Sequence, residues 1–258
     1  MSALVAIHAR RKQITRHPTT DIIKPLLWLH RAWHVLLAAP AVSAALGIGF
    51  TVLCLSAFAA ADALPLFTAT FVTLLLAVSP FLSAAAYAAA MQVSKGQQPT
   101  LVSCARSVAD RALSIGIFAT LCGLLMAAWV RLAGLSFALY YNTLGLSRSE
   151  VTHVWFSGDA PAGLLVFLGT ATAVLAAFLF ALAVIALPKI VDRDCDVVQA
   201  GIAGMRIIRA NPLTVAAWSL VLLVIIALAL VSQLLLMPLV FPVLAYASWF
   251  CYAELSRG

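Results

Sequence analysis

Charge is what this sequence has least of. Asp, Glu, Lys and Arg make up 10% of its 258 residues, against 64% that are apolar, whereas a soluble domain carries about a quarter charged residues to cover its surface. The deficit excludes a water-facing globule for most of the chain and makes lipid its solvent. Short alternating segments, the mark of a membrane β-barrel, are missing as well. What is there instead is a series of apolar runs reaching the roughly 20 residues that a helix needs to cross a hydrocarbon core about 30 Å thick. No charged residue lies in the core of any of these runs. Ionisable groups within a bilayer usually mark ion or proton paths. A proton-coupled pump is therefore disfavoured, while a channel or carrier for a neutral solute stays compatible.

Chemistry-bearing patterns are missing too. Cys54, Cys104, Cys122, Cys195 and Cys251 show no CxxC spacing, which argues against a disulfide framework or a zinc knuckle; they read as small apolar core residues. There is no glycine-rich phosphate loop, GxSxG elbow or HExxH pair. His8, His17, His30, His34 and His153 lie outside the apolar runs or at their edges, so no haem or copper centre inside the bilayer finds ligands projecting from the helices. His30 and His34 share a helix face at i,i+4, the spacing of a metal-binding pair. With Trp28, Arg31 and Trp33 around them, they fit an interfacial anchor for the first span better. The expectation is a protein that is not an enzyme and holds no cofactor and no metal.

Six spans are predicted, at about residues 35–60, 64–91, 113–130, 163–187, 213–231 and 234–252, the first two joined by a tight turn around Asp62 and Pro65. The fold class is all-α: a polytopic transmembrane helical bundle of six spans, with interfacial amphipathic helices on the cytoplasmic side. Residues 1–34 make a basic cytoplasmic N-terminal segment and 35–258 the membrane domain. The chain stays basic and polar through Lys24, and the apolar run after Trp33 is too long for a signal h-region, so no cleavable signal peptide is expected. Pro40, Pro80, Pro238 and Pro242 fall within spans, where kinks are expected.

Basic residues set the orientation. With the amino terminus inside, the inner segments hold Arg10, Arg11, Lys12, Arg16, Lys24, Arg31, Lys95, Arg106, Arg111, Lys189, Arg193, Arg206, Arg209 and Arg257. Only Arg131 and Arg148 of the 16 basic residues fall outside. Both termini are thus expected in the cytoplasm of a bacterium, the protein being multi-pass in its inner membrane. The basic net charge reflects this topology and not nucleic-acid binding, and the inner face should attract anionic lipid headgroups.

Two inner connections share a pattern. One runs from Gln97 through LVSCARSVADRAL into span three, the other from Pro188 through KIVDRDCDVVQAGIAGMRIIRANP into span five. Each opens on a helix cap, Thr100 in the first and Asp192 or Asp194 in the second. Leu101, Cys104, Ala105 and Val108 recur at helical spacing, as do Val198, Ile202, Met205 and Ile208. Arg106 and Arg111, or Arg206 and Arg209, sit towards the carboxyl end, suiting the helix dipole and lipid headgroups; Asn211-Pro212 ends the second helix. A duplicated span–interfacial helix–span unit follows from this pattern. Asp192, Asp194 and Asp196 alternate as in a calcium loop, but Val197 and Ala203 stand where that loop needs glycine and glutamate, so a helix start paired with Arg193 is the better reading. The long outer segment, residues 131–162, is rich in aromatics: Phe137, Tyr140, Tyr141, Trp155 and Phe156. An interfacial helix over 132–142 followed by a loop accounts for it; a partner-docking surface is the sharper alternative.

The stretch LPKIVDRDCDVVQAGIAGMRIIRANPLTVAAW resembles the signature of a bacterial inner-membrane family, domain of unknown function 2189, at Leu187, Pro188, Asp192, Arg193, Asp194, Asn211, Pro212 and Trp218. WVRLAGLSFALYY, Trp129 to Tyr141, resembles that family's third span, and Trp28 with Trp33 its opening. In the last span Trp249 and Tyr252 fit the family pattern, whereas Tyr246 and Phe250 stand where it carries histidines. The resemblance implies a six-span membrane domain. Some members are labelled cytochrome c oxidase subunits, yet this sequence lacks the intramembrane histidines of a haem–copper catalytic subunit, so the resemblance allows at most an accessory one.

The function expected is that of a non-catalytic accessory or scaffold subunit of a larger membrane assembly. The alternative is a small transporter or channel for a neutral or lipid-like solute. Its partners would be the bilayer, anionic headgroups on the cytoplasmic face and another membrane protein, with no nucleic acid. Recognition surfaces are expected at the helix ends: Asp192, Arg193, Asp194, Asp196, Arg206, Arg209 and Asn211 inside, Trp129, Arg131, Tyr140, Tyr141 and Trp155 outside, and Trp249 in the last span.

Overall fold

A computed structural model gives the structure of residues 18–141, 162–193 and 195–256. These residues are almost wholly helical, with no strand among them. The helices are α1 (Pro18–Ala38), α2 (Pro40–Ala63), α3 (Thr68–Ser94), α4 (Leu101–Ala109), α5 (Ala112–Tyr141), α6 (Ala162–Ala181), α7 (Leu187–Asp192), α8 (Val197–Ala210), α9 (Pro212–Val231) and α10 (Met237–Leu255). A 3-10 turn, Pro65–Phe67, links α2 to α3, and a π-helical turn, Leu182–Ala186, joins α6 to α7 without a break. Among the described residues six stretches are long and apolar enough to cross a membrane: Pro40–Ala63, Thr70–Ser94, Ala112–Leu139, Ala162–Asp192, Pro212–Val231 and Met237–Leu255. The protein is an all-α integral membrane protein, with six candidate spans among those residues.

The prolines act in two ways. Pro40 and Pro238 do not kink a span; they open α2 and α10. A proline at the first helical positions lacks only an N–H that no helical carbonyl would accept, and it drives the residue before it out of the α region. Ala39 accordingly has φ −135° and ψ 60° and separates α1 from the first span. His30 and His34 therefore belong to a helix of their own. Pro80 and Pro242, by contrast, lie inside α3 and α10. Pro188 lies two residues beyond the π-turn. Its missing N–H leaves a carbonyl in the preceding turn without a helical donor, and the chain answers by widening there. The hydroxyl of Tyr87 stands 3.5 Å from the carbonyl of Ala183 within the widened turn.

α10 is the axis of the bundle. It packs against α1, α2, α3, α7 and the π-turn, and its buried positions run from Phe241 through Leu255. α5 packs on the far side of α3, α6 on α5, and α9 on α1. Two contacts fix α2 to α10. Phe50 stacks on Phe241 at 4.1 Å with the planes 9° apart. Ser43 donates to the Ala39 carbonyl at 2.8 Å and receives the Tyr246 hydroxyl at 2.9 Å, so that both buried hydroxyls are satisfied. Between them the backbones meet. Pro242 has no N–H for the Pro238 carbonyl four residues earlier, and a Cβ placed on Gly47 would lie 1.8 Å from that oxygen. Only glycine lets α2 come so close, the small-residue contact by which membrane helices pack without a hydrophobic driving force.

The third span is longer than its apolar run suggests. α5 continues through Arg131 to Tyr141 as one helix, so the separate interfacial helix expected over 132–142 does not exist. At 1.5 Å per residue its 30 residues extend about 45 Å, more than a hydrocarbon core requires. The excess is held by packing: Phe137 is buried with Leu164 and Leu168 of α6, against Trp129 and Ala133. The turn from α9 to α10 places Gln233 and Leu234 at positive φ, 51° and 67°, where their N–H groups reach back to Leu230 and Ala229 and close the end of α9. Span six therefore begins at Met237, not Leu234.

Gly47→Ala is expected to destabilise the protein by about 1–3 kcal/mol, the cost of overpacking a close contact. Gly134→Ala, where a Cβ meets nothing within 4 Å, should be neutral or slightly stabilising. Thermal unfolding of both variants in detergent checks this, and equal stability would refute the Gly47 contact.

Candidate functional site at the basic end of the bundle

Polar side chains collect at one end of the bundle, where α3, α7 and α10 finish and α2, α5 and α9 start; this basic end also carries α4 and α8. Three groups of contacts tie it together. In the first, Glu254 near the end of α10 accepts a hydrogen bond from the Trp28 indole at 3.0 Å. Its carboxylate also lies 3.6 Å from Arg31 and 4.0 Å from Lys24. Lys24, Trp28 and Arg31 stand at i, i+4 and i+7 on α1, which puts all three on one face. Trp28 then meets Trp218 of α9 edge to face, with centroids 5.7 Å apart and planes at 87°, the favoured geometry for ring quadrupoles. Both rings are fully buried, and the Trp218 indole N–H has no partner among the described residues.

In the second group the Tyr252 hydroxyl donates to Asp192 at 3.1 Å. The Arg193 Nε is 3.8 Å from the same carboxylate oxygen, and Trp249 packs against Tyr252 at 5.6 Å. In the third, Thr100 and Ser103 form a reciprocal capping box at the start of α4: Ser103 N–H donates to the Thr100 hydroxyl at 3.1 Å, and Thr100 N–H to the Ser103 hydroxyl at 3.0 Å. The Ser103 hydroxyl donates on to Gln92 of α3 at 2.8 Å. Cys104, next in line, is buried. Burial pushes its thiol up, against a smaller lowering by the Ser103 hydrogen bond, which makes it a packing residue and a poor nucleophile.

Residues 65–192 match the model of the family described as predicted integral membrane protein, domain of unknown function 2189. Over this stretch the chain is similar to that family. The matched stretch contains α3, α4, α5, α6 and α7 and stops at Asp192, one of the residues that hold the basic end together. Leu187 and Pro188 also lie within it, while Arg193, Asn211, Pro212 and Trp218 lie beyond it. No curated protein and no solved structure matches the chain. Within the matched stretch, α3, α4 and α5 follow the order span, short helix, span; the Ala162–Asp192 span repeats that order with α8 and α9, which lie beyond the match.

The residues singled out from sequence are distributed over three places. Asp192, Arg193 and Trp249 come together around Tyr252. Asp192 does not open a helix, as expected, but closes α7. Because the Ala162–Asp192 span runs through the π-turn as far as Asp192, α8 starts only after Asp196, which occupies the N-cap position without a side-chain hydrogen bond. Asp194 lies outside the described residues. Asn211 caps α8, its amide donating to the Ile207 carbonyl at 3.2 Å. Arg206 and Arg209 stand exposed on α8. Trp129 and Arg131 belong to the opposite end: Trp129 is half-buried beside Ala133, and Arg131 is exposed. Tyr140 and Tyr141 form the last turn of α5, and Trp155 lies outside the described residues. The His30 and His34 Nε2 atoms are 3.1 Å apart on the exposed side of α1.

Glu254 was missed from sequence. Its signal was present, as the single acid of the last span's end opposite two cations and a tryptophan on one face of α1. Helical spacing shows that face but not what it touches.

Glu254→Ala should lower stability by about 1–2 kcal/mol, allowing for the partial exposure of the ion pairs, and should speed trypsin cleavage after Arg31 by loosening α1. Glu254→Gln keeps the indole bond and should fall between. Unchanged cleavage in Glu254→Ala would show that α1 is held without this carboxylate.

Proposed function

We propose that the protein is a non-catalytic accessory or scaffold subunit of a larger assembly in a bacterial inner membrane, a respiratory assembly being the first to test. The observation that carries this reading is that α10 fills the centre of the bundle. From Leu244 to Trp249 every α10 residue is buried, and the hydroxyls of Tyr246 and Tyr252 are engaged with Ser43 and Asp192. What such a molecule offers is surface: the exposed leucine-rich faces of α5 and α9 and the helices of the basic end. The family match supports membrane residence. A second reading, a carrier for a lipid-like solute, is favoured by one feature, a groove between α5, α6 and α8. The packed α10 weighs against a path along the axis.

The basic end is the cytoplasmic end in this proposal. Lys95, Arg106, Lys189, Arg193, Arg206 and Arg209 attract anionic headgroups there, each by about 1 kcal/mol near a charged leaflet. A fluorescent protein fused to the carboxyl terminus should fluoresce and alkaline phosphatase at the same place should be inactive; active phosphatase would invert the topology. Purification from native membranes in mild detergent, followed by mass spectrometry, should recover a stoichiometric membrane-protein partner. A partner-free particle would overturn the scaffold role.

A further inference from the structure

Helix α8 packs on the bundle through its small residues. Val197, Ala200 and Gly204, at i, i+3 and i+7, are buried, and the helix lies mainly against the π-turn, with further contacts to α6 and α7. The large apolar residues face the other way: Val198, Ile202 and Met205 are 64%, 51% and 36% exposed. Leu121 of α5 and Phe178 of α6 stand opposite them across a groove of about 420 Å³. That volume lies in the range of small-molecule sites. Leu121 is nine residues from the start of α5, about 14 Å along the helix, so the groove reaches from the basic end into acyl-chain depth.

Arg206 and Arg209 also line this groove. They are i,i+3 neighbours in the last turns of α8, both exposed, and among the described residues neither forms an ion pair. An apolar slot with two guanidinium groups at its edge complements a hydrocarbon chain that carries a phosphate, because the guanidinium fork pairs with phosphate oxygens in two parallel hydrogen bonds. We infer that the groove is a binding site for one anionic phospholipid, its acyl chain between α8 and Leu121 with Phe178, and its phosphate held by Arg206 and Arg209. A zwitterionic lipid presents the same phosphate, but its ammonium group cancels the charge. A helix of a protein partner fits the slot less well, since it would bury both guanidinium groups unless it brought acids of its own. The site rests on the reading of the basic end as a surface among headgroups. Binding in detergent does not depend on which side of the membrane that end faces, so an inverted topology and a failure of this site are distinguishable.

Full-length protein stripped of lipid in detergent is titrated with a phosphatidylglycerol, and with a phosphatidylcholine of the same chains, and bound lipid is counted by native mass spectrometry. One phosphatidylglycerol should bind about tenfold or more tightly than phosphatidylcholine. Arg206→Gln/Arg209→Gln should remove that preference, and Ile202→Ser/Met205→Ser should weaken both lipids. Lys95→Gln/Arg106→Gln, which removes equal charge from the same end, should leave the preference intact. Equal loss in both charge variants, full competition by glycerol phosphate alone, or a co-purified protein segment seated in the groove in place of lipid overturns the proposal. Thermal unfolding without lipid reports folding; if the double arginine variant does not fold, Arg206→Lys, which keeps the charge and loses the fork, should bind at an intermediate level, and undiminished preference there overturns the proposal equally.

Discussion

Hydrocarbon supplies no hydrogen bonds, and two departures of this chain from regular helix are each met by a particular arrangement. Pro242 leaves the Pro238 carbonyl without its helical donor, and α2 closes on that oxygen through Gly47, where any Cβ would collide. Pro188 opens a π-turn, and Tyr87 approaches one of the carbonyls in it. Serines and threonines within the spans bond back to carbonyls one turn earlier, as Thr51 does to Gly47 and Ser219 to Val215. The seating of α2 on α10 follows from the first of these, and the position of α10 as the axis follows from that seating together with its contacts to α1, α3 and α7.

The same constraint sends chemistry to the helix ends. With the middle of the bundle occupied by α10, charged groups can be solvated or paired only where the helices meet the membrane surface. There Glu254 gathers α1, and Asp192 ties α7 to α10. The contacts these two carboxylates make are those of clamps. α8 differs from α4 in this respect. α4 is locked by its capping box and by Gln92, whereas α8 has an unassisted cap and turns its larger apolar residues outward. The two short helices share a place in the chain order but do not make the same contacts.

Much of the fold was legible in the sequence because lipid imposes a length and a polarity on every span. The expected and observed spans agree to within one residue at Asn211-Pro212, whereas the first two begin about five and six residues later than expected, at Pro40 and Thr70. They part company at α5, since an apolar run ending at Arg131 does not show that Phe137 will pack on Leu164 and carry the helix onward. The site was less legible. Arg206, Arg209 and Asp192 were marked by composition and spacing, but the pairing of Asp192 with Tyr252 joins residues 60 positions apart, and Glu254 meets α1 across 226.

By itself, then, the sequence determined the solvent, the number of spans and the end of the bundle that gathers positive charge, because each follows from the transfer of a local stretch into hydrocarbon. Which helix forms the axis, which face of α8 is buried and which carboxylate holds α1 were decided by tertiary structure alone. Those outcomes depend on shape at helix–helix contacts, on a missing Cβ at Gly47 and small side chains at Ala200 and Gly204, and in lipid an apolar face has no preference between a neighbouring helix and an acyl chain until the fit of the two surfaces decides it.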